Sequence, residues 1–147
     1  MKSLNKSLYL ILIFFVFSLN SVSAKSRVDD YNIKPGRWLR NIKVKFDERN
    51  KDYALIQIYF PKSYKKGEKI RTLIALHEYM GNLTDWEKNS SIERYADEFN
   101  MVVVCPDMKR TLYESQYYPE TTNKWAKIPG GEFIGKVLLK FLQKNFN

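Results

Sequence analysis

The sequence predicts an α/β fold in which an antiparallel hairpin leads into a parallel strand–helix–strand unit and then into a further helix. The hairpin is indicated by two strand-like segments, 41–47 and 53–60, separated by a polar turn. The parallel unit is indicated by two apolar runs without alternation, 72–76 and 101–105, because strands buried on both faces have this pattern. An amphipathic segment, 132–146, predicts the further helix.

The N-terminal segment, 1–24, has the three parts of a cleavable export signal. Lys2 and Lys6 precede an apolar run from Leu8 to Leu19, and the small residues Val-Ser-Ala end the segment at 22–24. The run contains 12 residues, whereas a membrane-spanning helix needs about 20. Cleavage after Ala24 is therefore favoured over a retained anchor, and we expect a secreted or periplasmic protein without a stable membrane anchor.

Composition limits what the remaining chain can be. Residues 25–147 are enough for one domain, with 23 basic and 16 acidic residues and a net charge of +7. The basic residues are spread along the chain without a dense run or a nucleic-acid motif, so we expect no nucleic-acid partner. Cys105 is the only cysteine, which excludes an internal disulfide and a cysteine-based metal cage.

The hairpin is expected to begin at residue 41. Residues 25–40 are polar and contain Pro35-Gly36, so we interpret them as a leader into the fold. From Asn41 to Asp47, apolar residues alternate with lysines, as in a strand with one wet face.

A helix is expected between the two parallel strands. Apolar residues recur at positions i, i+3, i+4 and i+7, namely Ile92, Tyr95, Ala96 and Phe99. Ser90 and Glu93 have the spacing of a capping box, and Asn100 stands where a left-handed C-terminal cap is common. Residues 72–105 therefore predict a βαβ unit.

The rest of the chain is a long loop, 107–131, and a helix, 132–146. Loops of this length are usually either functional or poorly ordered. The apolar face of the helix consists of Phe133, Ile134, Val137, Leu138, Phe141 and Leu142. A third parallel strand is expected to follow such a helix.

A series of short motifs begins where the first parallel strand ends. It starts with Leu-His-Glu-Tyr-Met-Gly-Asn at 76–82 and continues with Thr84-Asp85-Trp86, Tyr95-Ala96-Asp97, Val104-Cys105-Pro106-Asp107, Ser115 to Glu120, Trp125 and Ile128 to Gly131. In order and spacing, this series resembles the N-terminal half of secreted esterases of the esterase D-like group. The resemblance implies that 41–147 is the N-terminal portion of an α/β-hydrolase domain, an incomplete α/β-hydrolase with three layers, α/β/α.

The family hydrolyses esters with a serine nucleophile in a G-x-S-x-G turn, followed along the chain by an acid and a histidine base. This sequence contains no G-x-S-x-G, and the strand that would carry it is expected beyond Asn147. The resemblance therefore implies a chain truncated before the nucleophile, with no catalytic residue of its own.

The resemblance also assigns an oxyanion loop, which consists of His77, Glu78, Tyr79, Met80 and Gly81. His77, the only histidine, would hold the loop by hydrogen bonds rather than act as a base, and the Tyr79 N–H would serve the oxyanion hole. The family has glycines where Glu78 and Met80 stand. Since glycine permits positive φ and close backbone approach, relaxed selection on a non-catalytic chain is an open alternative for this loop.

Neighbouring residues argue against a metal site and a reactive thiol. His77-Glu78 could begin an H-E-x-x-H zinc motif, but Gly81 stands where the second histidine is required. Cys105 lies on a buried strand before Pro106, so we predict a small core residue. We expect no metal and no cofactor.

Four aromatic residues of the long loop, Tyr113, Tyr117, Tyr118 and Trp125, are candidates for lining a pocket. By analogy with the family, they would offer apolar and hydrogen-bonding surface to an acyl group or a sugar. The alternative, which we favour, is that the loop packs over the sheet edge.

Three functions are compatible with the sequence. The favoured one is a fragment of a secreted serine ester hydrolase that is inactive alone. The second is a non-catalytic secreted module that binds carbohydrate or lipid, which would leave the edge of the 101–105 strand open to pairing with another chain. The third is one half of a split hydrolase, which would act on an ester substrate once a missing second half supplies the catalytic residues.

Overall fold

The computed structural model describes residues 31–46 and 52–146. The predicted export signal and the first part of the predicted leader lie outside the described residues. The elements are β1 (Arg37–Lys45), β2 (Tyr53–Phe60), β3 (Arg71–Ile74), α1 (Asp85–Asn89), α2 (Ile92–Glu98), β4 (Met101–Pro106) and a last helix, α3. The α3 helix is continuous and consists of an α-helical turn (Gly130–Glu132), a π-helical segment (Phe133–Leu138) and an α-helical segment (Leu139–Phe146).

The strands form one mixed sheet in the order β1-β2-β4-β3. The antiparallel pairing of β1 with β2 confirms the predicted hairpin, and the parallel pairing of β3 with β4 confirms the parallel unit. The prediction that the 101–105 strand has an open edge is wrong, because β4 also pairs antiparallel with β2. Consecutive strands are neighbours only about two-thirds of the time, so the local pattern did not reveal this order. The edge strands of the described sheet are β1 and β3.

The first strand begins earlier than predicted, at Arg37, inside the predicted leader 25–40. Its pairing with β2 shifts register between Leu39 and Ile42, where Asn41 has a φ of +59°. Such a bulge adds a residue to one strand and interrupts the alternation of side chains. The alternation visible from Ile42 onward therefore marks only the second part of the strand.

Helices cover both faces of the sheet. On one face, Phe133 and Leu138 of α3 are buried against one set of alternate strand residues. On the other face, Ile92 and Ala96 of α2 are buried against the complementary set, which includes Cys105. Alternation between two cores is expected for strands buried on both sides. The structure therefore has three layers, and it confirms Cys105 as a core residue.

The start of α2 differs from the predicted capping box. The Ser90 Oγ accepts a hydrogen bond from the Ile92 N–H at 3.2 Å. The Glu93 carboxylate instead accepts the indole N–H of Trp38 on β1, so a tertiary partner replaces the local cap. The other end of the helix is as predicted, because Asn100 has a left-handed φ of +47°.

The predicted helix at 132–146 is confirmed, and it begins two residues earlier, at Gly130. Phe133, Leu138 and Leu142 are buried, whereas the other three residues of the predicted apolar face are partly buried. The π-helical segment places Phe133 and Leu138, five positions apart, toward the same core. No helix of the described part of the chain is long and apolar enough to cross a membrane.

Two glycines of α3 give a matched test of this packing. A Cβ at position 131 would lie 2.7 Å from the Tyr113 carbonyl oxygen and 2.9 Å from that of Glu114, whereas a Cβ at Gly135 would meet no atom within 4 Å. We expect Gly131→Ala to lower the free energy of unfolding by about 1–3 kcal/mol through this clash with backbone. Gly135→Ala is expected to raise it by about 0.5–1 kcal/mol, because alanine loses less backbone entropy on folding. Urea denaturation of both variants checks this, and changes of the same sign would contradict the packing described.

Candidate functional site

The loop that follows β3 is fixed to the rest of the fold by His77, which is buried. The Met108 N–H donates to the His77 Nε2 at 2.9 Å. Since Nε2 is therefore the acceptor, the proton lies on Nδ1, which donates to the Glu78 carbonyl oxygen at 2.6 Å. Both ring nitrogens are committed to backbone groups, so the imidazole has no nitrogen left to take a proton from a nucleophile.

A second hydrogen bond joins the long loop to His77. The Tyr113 hydroxyl donates to the His77 carbonyl oxygen at 2.7 Å. Burial raises the pKa of Tyr113 to about 12, so this phenol is neutral and remains a donor at physiological pH. Tyr113 is therefore a structural tether between the two loops.

Met80 has a left-handed backbone in this loop. Its φ is +65°, and its N–H donates to the Lys109 carbonyl oxygen at 3.0 Å. This is one of the two positions where the resembled family has glycine. The structure therefore keeps at Met80 a backbone conformation that glycine adopts more easily.

The rest of the loop is held by its own side chains. The two carboxylate oxygens of Asp85 accept the backbone and side-chain N–H groups of Asn82, each at 2.7 Å. A Cβ at Gly81 would lie 3.0 Å from the Glu78 carbonyl oxygen and the same distance from the His77 Cβ. The Tyr79 N–H makes no hydrogen bond within the described residues, so it is available to an incoming acceptor.

The Met80 conformation gives a direct test of strain in the loop. A left-handed conformation costs a non-glycine residue about 1–2 kcal/mol, and the Met80 side chain is 63% exposed, so its loss removes little packing. We expect Met80→Gly to raise the free energy of unfolding by about 0.5–1 kcal/mol. Met80→Ala is the control, because it removes the side chain but keeps the strain. Thermal unfolding of the two variants would contradict this account if alanine stabilised the fold as much as glycine.

A cleft of about 520 Å³ lies between this loop and the long loop. It is lined by Tyr79, Arg110, Leu112, Glu114, Gln116, Tyr118, Thr121 and Asn123. Leu112 is 75% exposed and Tyr118 is also exposed. We call it the Tyr79–Tyr118 cleft. Its exposed apolar side chains and its single pair of opposite charges are suited to a small ligand with an apolar ring or chain.

The structure brings only Tyr118, of the four predicted loop aromatics, to this cleft. Tyr113 is the tether described above, and the Tyr117 hydroxyl lies 3.0 Å from the carbonyl oxygens of Ala126 and Ile128. Trp125 packs its ring 5.4 Å from that of Phe133 and lines a different cleft. Three of the four residues therefore take part in packing of the long loop.

Arg110 and Leu112 are among the cleft residues that sequence reasoning missed. Both lie in a polar loop without periodicity, where a single leucine or arginine carries no signal. The one detectable feature was the length of the loop itself.

The chemistry available at the site is limited. Burial raises the pKa of the Cys105 thiol to about 12, so it is not a nucleophile at neutral pH. Neither ring nitrogen of His77 contacts a hydroxyl. Within residues 31–46 and 52–146, no group of three or more His, Cys, Asp or Glu side chains is placed to hold a metal ion. What the site offers is a cleft and a free N–H.

Comparison with known proteins finds similarity at the level of structure. No family model matches the chain, and no curated protein matches it. A ferulic acid esterase matches with 14% sequence identity and a TM-score of 0.53, over 75% of this chain and 43% of that chain. FphF, a fluorophosphonate-binding serine hydrolase of Staphylococcus aureus, matches with 18% identity and a TM-score of 0.55, over 75% of this chain and 41% of that chain.

The fold is esterase-like. At these identities the similarity concerns the fold alone. The chain also spans less than half the length of the two solved structures that it matches.

Proposed function

We propose that this chain is the N-terminal part of a secreted serine ester hydrolase of the α/β-hydrolase fold, related to the esterase D-like group, and that it hydrolyses no ester alone. The esterase-like fold supports the first part. The observation that carries the second part is the hydrogen bonding of His77, the only histidine, whose two ring nitrogens both bind backbone groups. A serine needs a neighbouring base to become a nucleophile, and both ring nitrogens of the one histidine are already bound to backbone groups.

The residual role of the site is to bind the acyl or aromatic part of an ester in the Tyr79–Tyr118 cleft. The exposed Leu112 and Tyr118 supply apolar contact area. The free Tyr79 N–H would then donate to the ester carbonyl oxygen, as an oxyanion-hole donor does.

Binding without turnover tests this role. The probe is an aromatic ester such as methyl ferulate, with binding followed by ligand-detected NMR. Leu112→Asp is expected to weaken binding about tenfold or more, because burying a leucine side chain against a ligand contributes about 1.5–3 kcal/mol. Leu139→Asp is the control, since Leu139 is an exposed leucine of α3 that does not line the cleft. Equal binding by both variants would refute the cleft as the ester site.

Export is part of the proposal and has its own test. Expression of the full sequence in a secreting bacterial host is expected to release a chain that begins at Lys25. Mass spectrometry of the N-terminus measures this. A chain that retains residues 1–24 and stays with the membrane would contradict cleavage.

A second candidate, one half of a split hydrolase, is supported by the free edge of β3. This strand pairs with β4 on one side and with no other strand of the described residues. Leu73 at this edge is 42% exposed, and Tyr95 of α2 and Phe99, directly after α2, are exposed as well. An exposed edge with apolar side chains is a template for strand addition.

Complementation is tested by co-expression with a polypeptide that carries a strand, a G-x-S-x-G turn, an acid and a histidine. Association and ester hydrolysis are expected, and Leu73→Lys is expected to abolish both. Leu139→Lys is the control. Association that is unaffected by Leu73→Lys would show that β3 is not the docking edge.

A further inference from the structure

A cleft of about 650 Å³ between β1 and α3 is lined by five lysines and by no acidic residue. Lys136, Lys140 and Lys144 follow one another at intervals of four residues along α3, and Lys43 and Lys45 belong to β1. All five side chains are exposed. We call it the lysine cleft. Neither the esterase-like fold nor the Tyr79–Tyr118 cleft accounts for such a concentration of one charge.

Most of this charge is not neutralised by the protein. Lys136 forms an ion pair with Glu132 at 3.2 Å, and the Lys43 ammonium lies over the ring of Tyr53. Among the described residues, Lys45, Lys140 and Lys144 form no ion pair. Like charges gathered in one cleft repel one another and raise the local concentration of anions. The occupant that fits by charge is therefore anionic.

The remaining wall of the cleft is largely apolar. Tyr31, Phe46, Val137 and Phe141 line it. Leu139, next to Lys140 on α3, is 41% exposed. Lysines that border apolar side chains on a surface helix are typical of helices that lie at a membrane interface, where the stems contact lipid and the ammonium groups reach the headgroups.

We propose that the lysine cleft binds anionic phospholipid at a bilayer surface. The lysine ammonium groups contact the phosphate, and the apolar wall contacts the glycerol and the first part of the acyl chains. A dissolved phosphate would use only the lysines, so the apolar wall favours the lipid. The protein would thereby reside at an anionic membrane surface without crossing it.

Flotation with vesicles tests the proposal. The chain should begin at Lys25, since the described fold lies after residue 30 and the apolar run 8–19 would itself bind lipid. We expect binding to vesicles of phosphatidylcholine with phosphatidylglycerol, and none to phosphatidylcholine alone. Lys140→Gln with Lys144→Gln is expected to weaken binding about 25-fold, at about fivefold for each lysine near the surface.

The matched control removes two positive charges from the opposite face of the sheet, by Lys88→Gln with Arg94→Gln. It should weaken binding far less, and the melting temperatures of both double variants should equal that of the parent, because all four side chains are exposed. Equal loss of vesicle binding in the two double variants would show that the net positive charge of the protein, and not the lysine cleft, causes the binding. Displacement of the protein from vesicles by glycerol phosphate at equal concentration would assign the cleft to dissolved anions instead.

Discussion

Replacing Phe133 with alanine is expected to lower the free energy of unfolding by about 3–5 kcal/mol, the usual cost of deleting a buried phenylalanine ring. The Phe133 side chain is fully buried, and its ring lies 5.4 Å from those of Phe46 and Trp125. This one residue therefore joins the end of the hairpin's first strand, at Phe46, to the long loop and α3. Because small domains are stable by only about 5–15 kcal/mol, the variant should be markedly unfolded at moderate urea concentration.

Leu139→Ala is the control for that experiment. Leu139 belongs to the same helix but is 41% exposed, so its truncation should cost less than about 1 kcal/mol. Circular dichroism during urea denaturation gives both values. Similar costs for the two variants would contradict the placement of the core between α3 and the sheet.

Replacing His77 with alanine is expected to lower the free energy of unfolding by about 1–3 kcal/mol. The substitution leaves the buried Met108 N–H without its partner, and an unsatisfied buried group costs about 1–3 kcal/mol. The Glu78 carbonyl oxygen keeps the hydrogen bond from the Gly81 N–H. Met108 is completely buried, so water cannot easily replace the imidazole at its N–H. Urea denaturation measures the loss.

Two further variants distinguish the contribution of the His77 imidazole from that of the neighbouring hydrogen bond to its carbonyl oxygen. His77→Gln offers an amide oxygen and an amide N–H, and it should recover part of the loss. Tyr113→Phe removes only the hydrogen bond to the His77 carbonyl oxygen and should cost about 1 kcal/mol. A fully stable His77→Ala variant would show that the ring does not hold the loop.

The sequence predicted those strands and helices that the local pattern of apolar residues determines. The run 101–105 was predicted to be buried on both faces, and alternate residues of β4 do enter two cores. The same prediction for 72–76 is wrong for most of β3, because β3 is an edge strand in which Arg71, Thr72 and Leu73 are exposed. The apolar face predicted for α3 likewise contains the three residues that are buried, Phe133, Leu138 and Leu142.

Features that depend on distant partners were not predictable. The bulge at Asn41 concealed the first residues of β1. Glu93 was expected to cap its own helix, but it accepts the Trp38 indole N–H across the fold. The position of β4 between β2 and β3 also required knowledge of long-range pairing.

The candidate site likewise combines a feature that is visible in the sequence with features that depend on distant residues. A histidine at the end of a buried strand was visible in the sequence, but the partners of its two ring nitrogens come from the chain before and after β4. The cleft depends on where a loop without periodicity places Leu112 and Tyr118, and no spacing rule describes such a loop.

The most direct test of the proposed function is hydrolysis of p-nitrophenyl acetate by the purified chain that begins at Lys25. With its only histidine bound to backbone on both ring nitrogens, the chain is expected to release p-nitrophenol no faster than buffer alone and to remain unlabelled by a fluorophosphonate probe. A release rate proportional to protein concentration, abolished by replacement of a single serine of this chain, would contradict the account.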